Sequence, residues 1–189
     1  MKVSEILENV KQKHTFAVIY GGRFQPFHKG HYAIYKRLIK EFGPNSVWIT
    51  MSGKVSKNEG SPFSFNERKS IISSLFEIDE SKIIKTKSSP IFSISEVLSH
   101  YHTDNVTVIL VTGEKDKERF KNVPEYDSSK TLSEKVYMYS IDNHVKTTAT
   151  EIRKVFSSIK DEDIKHQMKH YFGKYDYAIG QLIKERCIQ

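Results

Sequence analysis

Cysteine is almost missing from this chain. Cys187 is the only one in 189 residues, so no intrachain disulfide can form, and a zinc site built on several cysteines is excluded. A reducing compartment is the expectation. Long apolar runs are missing as well: no stretch approaches the roughly 18 residues needed to cross a bilayer. Met1 to Lys13 is charged and amphipathic and lacks the apolar core of a secretory leader. No membrane partner and a cytoplasmic location are therefore expected. Nor is there a block of one charge sign. The 30 Lys and Arg against 23 acids give a formal charge of +7, but the bases are scattered, so small polyanions account for them as well as nucleic acid does. Tryptophan is single, and Trp48 lies in a strand candidate where a core role is expected.

What is present is a regular alternation. With 38% hydrophobic and 12% aromatic residues the chain can bury one good core, and a single domain over 1–189 is expected, its core at about 15–158 and a C-terminal helical segment at about 161–187. Apolar, β-branched runs at Phe16–Tyr20, Val47–Met51, Lys82–Thr86, Val106–Thr112 and Val136–Ile141 read as strands. Helical periods fall at roughly 31–42, 66–77, 93–101, 115–120 and 149–158. Short apolar strands separated by helices pair in parallel with both sheet faces covered, which predicts a Rossmann-like, doubly wound α/β fold. Gly43-Pro-Asn45 stops the first crossover helix. Residues 53–62 are loop formers beside the expected site. From Asp161 on, Ile164, Met168, Tyr171, Phe172, Tyr175, Ile179, Leu182 and Ile183 recur at helical spacing, with a break near Gly173.

Three blocks can carry chemistry. Gly22-Arg-Phe-Gln-Pro-Phe-His-Lys-Gly-His31 follows the first strand and opens the first helix. His28 and His31, three apart, can point to one side and donate to phosphate oxygens; Arg23 offers a planar fork of donors; Gly21, Gly22 and Gly30 let the backbone come close. Two imidazoles at a helix N-terminus beyond the carboxyl end of a strand suit a nucleotide phosphate. Thr147-Thr-Ala-Thr-Glu-Ile-Arg153 puts hydroxyls ahead of another helix. Thr148 with Glu151 fits a capping box, and the same hydroxyls, free N–H groups and Arg153 fit a second anion site. Ser61-Pro-Phe-Ser-Phe-Asn-Glu-Arg68 leads a turn into a helix, where Glu67 and Arg68 are either ligand contacts or solvated helix residues. The run after Gly113 is either a ligand-contacting loop or an exposed helix face.

The first and second blocks resemble the two signatures of the nucleotidylyltransferase superfamily with its His-x-Gly-His motif. With the third block, they are most similar to the archaeal-type nicotinamide mononucleotide adenylyltransferases and their bacterial and phage relatives. That resemblance spans about residues 15–158 and is specific only at the blocks. It implies transfer of AMP from Mg-ATP to a phosphomonoester, giving NAD and pyrophosphate when the acceptor is nicotinamide mononucleotide. It implies that His28, His31 and Arg153 are catalytic, with Gly22, Arg23, Phe24, Gly30, Gly113, Thr148 and Thr150 binding ATP and Glu67, Arg68 and Phe92 facing the acceptor. Magnesium enters with ATP, and no protein cage for it is legible.

Two departures stand out. The second signature usually opens with serine and here opens with Thr148-Ala-Thr150, which keeps a hydroxyl. The pyridine pocket of the family commonly carries a tryptophan after the third strand, and in Ser88-Ser-Pro-Ile-Phe-Ser-Ile-Ser95 the only aromatic is Phe92, which either stacks on the acceptor ring or fills the core. Nicotinate mononucleotide, FMN, phosphopantetheine, or CTP paired with an alcohol phosphate are the rival substrates. Lys54-Val-Ser-Lys57 faintly resembles a lysine motif of class I aminoacyl-tRNA synthetases but precedes most of the fold. A nucleic-acid module would use Lys165-His-Gln-Met-Lys-His-Tyr-Phe-Gly-Lys174, where helical amphipathicity suffices, so nucleic acid is not an expected partner. Self-association into a homo-oligomer is left open.

Overall fold

The computed structural model describes residues 15–56, 60–87, 89–103, 105–113, 117–118, 120–130, 132–141 and 147–188. Its sheet has five parallel strands, β1 (Thr15–Gly21), β2 (Val47–Ser52), β3 (Ile83–Thr86), β4 (Val106–Gly113) and β5 (Val136–Ile141), in the spatial order β3-β2-β1-β4-β5. Six helices accompany it among the described residues: α1 (Lys29–Phe42), α2 (Phe65–Phe76), α3 (Ile94–Leu98), α4 (Ala149–Phe156), α5 (Asp161–Phe172) and α6 (Tyr177–Cys187). This is the Rossmann-like arrangement expected from the alternation. The order reverses between β1 and β4, so a crevice opens at the carboxyl ends of these two strands.

The strands are near-continuous apolar runs because both faces are covered. Along β4 every residue but the last is buried. Side chains alternate between two cores: Val18, Ile49, Ile109 and Val111 meet α1, α2 and the C-terminal helices through Leu38, Ile71, Phe156, Met168 and Ile183. Ala17, Ile19, Trp48, Val108 and Leu110 meet Val97 of α3 and Phe120 on the other face. Trp48 is thus a core residue, held by a hydrogen bond from Nε1 to the Tyr101 hydroxyl of 2.9 Å and capped by Lys82 Nζ, 4.2 Å from the ring centre.

Element ends shift by a residue or two from the sequence reading, and for local reasons. Lys82 closes a 3₁₀ turn (Glu80–Lys82) in which the Ser81 N–H is capped by the Asp79 carboxylate, so β3 begins at Ile83. The helix expected over 93–101 is only five residues long, and the Tyr101 hydroxyl beyond it reaches back to the Phe16 carbonyl at 2.9 Å. The break at Gly173 is a left-handed C-cap with φ +79°, a conformation that favours glycine. Of the helix expected at 115–120 and of the exposed loop at 53–62, residues 115, 116, 119 and 57–59 lie outside the described residues, as does Ser88.

Candidate functional site

The first block forms the turn between β1 and α1. Gly21 has to be glycine: a Cβ there would stand 2.6 Å from the Pro90 carbonyl carbon of a second 3₁₀ turn, Pro90–Phe92, lying across the strand end. Gly22 lies under the Phe24 ring, 2.7 Å from where its Cβ would be. Phe24 itself adopts φ +45° and is 4% exposed, with its ring edge-on to Tyr20, Phe27 and His31. Its place is in the core under the turn that was expected to contact ATP. Arg23, by contrast, is exposed at the mouth.

The two histidines cap their own helix. His28 is the N-cap of α1, and its Nδ1 accepts from the Gly30 N–H at 3.1 Å; His31 Nδ1 accepts from the His28 N–H at 3.3 Å. Such a reciprocal pair is the work of a capping box, done here by two imidazoles. The consequence is chemical. With both Nδ1 atoms accepting, each neutral ring carries its proton on Nε2, and the ring centres lie 3.8 Å apart with the planes tilted by 36°. Burial holds His28 down to about 4, an effect that nearby Glu151 opposes and Lys29 reinforces. Burial and the neighbouring His28 hold His31 well below the usual histidine range. At neutral pH both rings are uncharged single donors.

The second block meets the first across the turn. Arg153, in α4, donates from Nη1 to the Gln25 carbonyl at 2.5 Å and from Nη2 to Thr150 Oγ1 at 3.2 Å. A Cβ on Gly60 would stand 2.8 Å from Arg153 Nη2, so the guanidinium passes directly over that loop. Thr148 is the N-cap of α4, its Oγ1 accepting from the Glu151 N–H at 3.1 Å. The Glu151 carboxylate takes the Tyr171 hydroxyl at 3.1 Å, so the capping box expected of this pair is made only on the threonine side. Gly113 ends β4 at the same edge of the sheet, exposed, and a side chain there would meet nothing within 4 Å among the described residues.

The third block is structural. Arg68 is 1% exposed and gives its donors to three main-chain carbonyls: Ser64 from Nε at 3.2 Å, Arg23 from Nη1 at 2.7 Å, and Ser52 from Nη2. Burial lowers its pKa to about 10. It is not the solvated helix residue that was one of the two expectations. Arg68 is a clip that joins the end of β2, the first block and the start of α2. Glu67 completes a capping box with Ser64 (2.8 and 3.3 Å) and pairs with Arg186 of α6 at 2.6 Å. Burial pushes its carboxyl up, but hydrogen bonds from Arg186 and Ser64 outweigh that and lower it. These partners occupy the carboxylate that was expected to face the acceptor. Gln25, which the sequence reading passed over, exchanges two 2.9 Å hydrogen bonds with the main chain of Phe63. Its position inside the first block was the available signal; for Arg186 there was none.

Phe92 is 50% exposed, at the end of the 3₁₀ turn that crosses β1, with its ring centre 5.5 Å from that of Phe120. It does not fill the core. The turn is held by Thr50 Oγ1 and Ser93 Oγ, each donating to the Pro90 carbonyl at 2.7 Å. Phosphate-type donors thus stand on one side of the strand-end crevice and an exposed aromatic face on the other. No group of three or more His, Cys, Asp or Glu is placed to hold a metal ion among the described residues, and none of the described helices is long and apolar enough to cross a membrane.

Comparison with known proteins agrees with this arrangement. A stretch of 71 residues, 38% of this chain and 37% of the relative, is 39% identical to a nicotinamide-nucleotide adenylyltransferase of Thermoplasma acidophilum. The aligned part is thus little more than a third of that relative's length. A Plasmodium falciparum nicotinic acid mononucleotide adenylyltransferase, solved with APC, superposes with a TM-score of 0.53 at 19% identity, over 93% of this chain and 100% of that one. A Vibrio parahaemolyticus protein assigned as a nicotinate-nucleotide adenylyltransferase gives 0.57 at 13% identity, over 89% and 98%. At these identities the likeness is one of fold. The model of the family described as cytidylyltransferase-like matches residues 19–160, from β1 through α4 and so across all three blocks, and this chain belongs to that family.

Proposed function

We propose that the protein is an adenylyltransferase that moves AMP from ATP to a pyridine mononucleotide, nicotinamide mononucleotide before nicotinate mononucleotide, releasing pyrophosphate. The observation that carries this reading is the pair of neutral Nε2–H donors at the α1 N-terminus, faced across the turn by Arg153 and the Thr148 and Thr150 hydroxyls. That set is built for a chain of phosphates. The similarity to the Thermoplasma nicotinamide-nucleotide adenylyltransferase, although partial, favours a pyridine acceptor over the other phosphomonoesters.

In this reading an oxygen of the acceptor phosphate attacks the α-phosphorus of ATP in line. A new P–O bond forms as the bond from the α-phosphorus to the bridging oxygen breaks, and that electron pair leaves on pyrophosphate. His28 and His31 donate to phosphate oxygens as charge moves onto the leaving group, and Arg153 with the two threonines holds the outer phosphates. No side chain needs to become bonded to phosphorus, since the rate comes from alignment and charge stabilisation. The set holds no carboxylate, and its two hydroxyl oxygens already accept from the Glu151 N–H and from Arg153, so magnesium fits this site as a companion of the triphosphate with water completing its shell. Bound there, it neutralises charge on the phosphates. A cytoplasmic location belongs to the same reading.

A pyrophosphate-release assay with ATP and a panel of acceptors, with products identified by mass, tests the proposal. NAD from nicotinamide mononucleotide is the expected product. Background rates with both pyridine nucleotides, alongside clear turnover of FMN, phosphopantetheine or an alcohol phosphate, would overturn it.

A further inference from the structure

Thr112 carries a buried hydroxyl with no hydrogen-bond partner among the described residues, although the residue is only 3% exposed. Such groups are rare in folded proteins, since a desolvated hydroxyl without a partner is destabilising. On its face of β4 the preceding positions are Val106, Val108 and Leu110, all in the core shared with Phe120. A fourth apolar residue would suit packing better than threonine.

The position explains what the packing does not. β1 and β4 pair as Ile19 with Leu110, which two residues on brings Thr112 beside Gly21, and β1 pairs with β2 as Gly21 with Thr50. Thr50, Gly21 and Thr112 therefore stand side by side on three adjacent strands, about 4.8 Å apart. The 3₁₀ turn carrying Phe92 lies over Gly21. On one side of it Thr50 donates to the Pro90 carbonyl, whose second hydrogen bond comes from Ser93. On the other side Thr112 is left unused, on the sheet face that carries Phe120 beneath the exposed ring of Phe92.

Resting on the proposed acceptor class, we infer that Thr112 is a specificity residue of the acceptor pocket. Its hydroxyl forms the polar floor beside Phe92 and hydrogen-bonds the polar substituent of the pyridine ring, a carboxamide or a carboxylate. A ring stacked on Phe92 has one edge turned toward the sheet, and a hydroxyl at that edge donates to the exocyclic oxygen that both substituents share, or accepts from the amide nitrogen. Reaching it requires the Phe92 and Phe120 rings to part as the acceptor enters.

The test compares wild type with Thr112→Val and Thr112→Ser, measuring kcat/KM for nicotinamide and nicotinate mononucleotides, KM for ATP, and Tm. Val keeps the shape and removes the unpartnered hydroxyl, so its Tm rises by about 2 °C or stays level. Its kcat/KM for the pyridine nucleotides falls about tenfold, with KM for ATP unchanged, and Ser restores activity. Equal loss with both acceptors identifies the shared oxygen as the partner; loss with nicotinamide mononucleotide alone identifies the amide nitrogen. If Val turns over both acceptors within twofold of wild type, or if it melts several degrees lower and Ser does not restore activity, the assignment is overturned. Wild type inactive with both pyridine nucleotides instead removes the acceptor reading beneath it.

Discussion

The two sides of the strand-end crevice are built differently. On the side proposed to hold the triphosphate the principal side chains are tied down: His28 and His31 cap their helix through Nδ1, Arg153 is fixed by the Gln25 carbonyl and Thr150, and Arg68 pins the turn beneath them. On the side proposed for the acceptor Phe92 is half exposed and Thr112 has no partner among the described residues. Preorganised donors are what charge stabilisation requires, because their orientation is settled before the reaction begins. A pocket that must admit and release a ring can leave its contacts unmade until the ring arrives. Under the proposed function, chemistry belongs to the rigid half and acceptor choice to the loose one.

The largest break comes from below the rigid half. Arg68→Met leaves three carbonyls without their charged donor in a buried place, and a loss of at least about 3 kcal/mol of stability is expected by denaturant unfolding. A variant of unchanged stability would show that the clip is dispensable.

Acid comes next. Both histidines have depressed values in the fold, so the unfolded chain, whose histidines titrate near 6.5, binds protons first as pH falls. Stability is full above about pH 6.5 and drains away toward pH 4, by roughly 3 kcal/mol for His28 from its folded value of about 4. His28→Asn should flatten this part of the stability curve; an unaltered curve would place the titration elsewhere.

The same variant separates capping from catalysis. Asn is a good N-cap, so the helix start is preserved, whereas Ala would lose about 1 kcal/mol of cap as well. With Asn, kcat is expected to fall on the order of a hundredfold for want of an imidazole Nε2–H at the phosphates. A rate equal to wild type would reduce His28 to a cap.

On the loose side the effects are smaller. Phe92→Leu removes the flat face from an exposed position, so KM for the pyridine nucleotide should rise about tenfold while Tm and the ATP constants hold. A fall of several degrees in Tm with unchanged constants would make it a packing residue.

How much of this was legible follows the same division. All five strands lie where β-branched runs stand in the sequence, because strands buried on both faces must be apolar throughout. The histidines and Arg153 could be singled out as candidate anion ligands because residue type and local spacing carry that signal. The structural partners of Arg68 and Glu67 could not be read in advance because a charged helix residue reads alike whether it faces a ligand, the solvent or three buried carbonyls. Thr112 escaped notice because an unpaired hydroxyl is defined by what fails to surround it, and Arg186 because its partner Glu67 lies 119 residues away.

The central claim is direct transfer of the adenylyl group, and the most direct measurement follows the α-phosphorus of labelled ATP in the presence of nicotinamide mononucleotide. The account predicts that the label appears in NAD, with the β- and γ-phosphorus leaving together as pyrophosphate and none of the label retained on the protein. Label held on a side chain, or release of single phosphate in place of pyrophosphate, would contradict it.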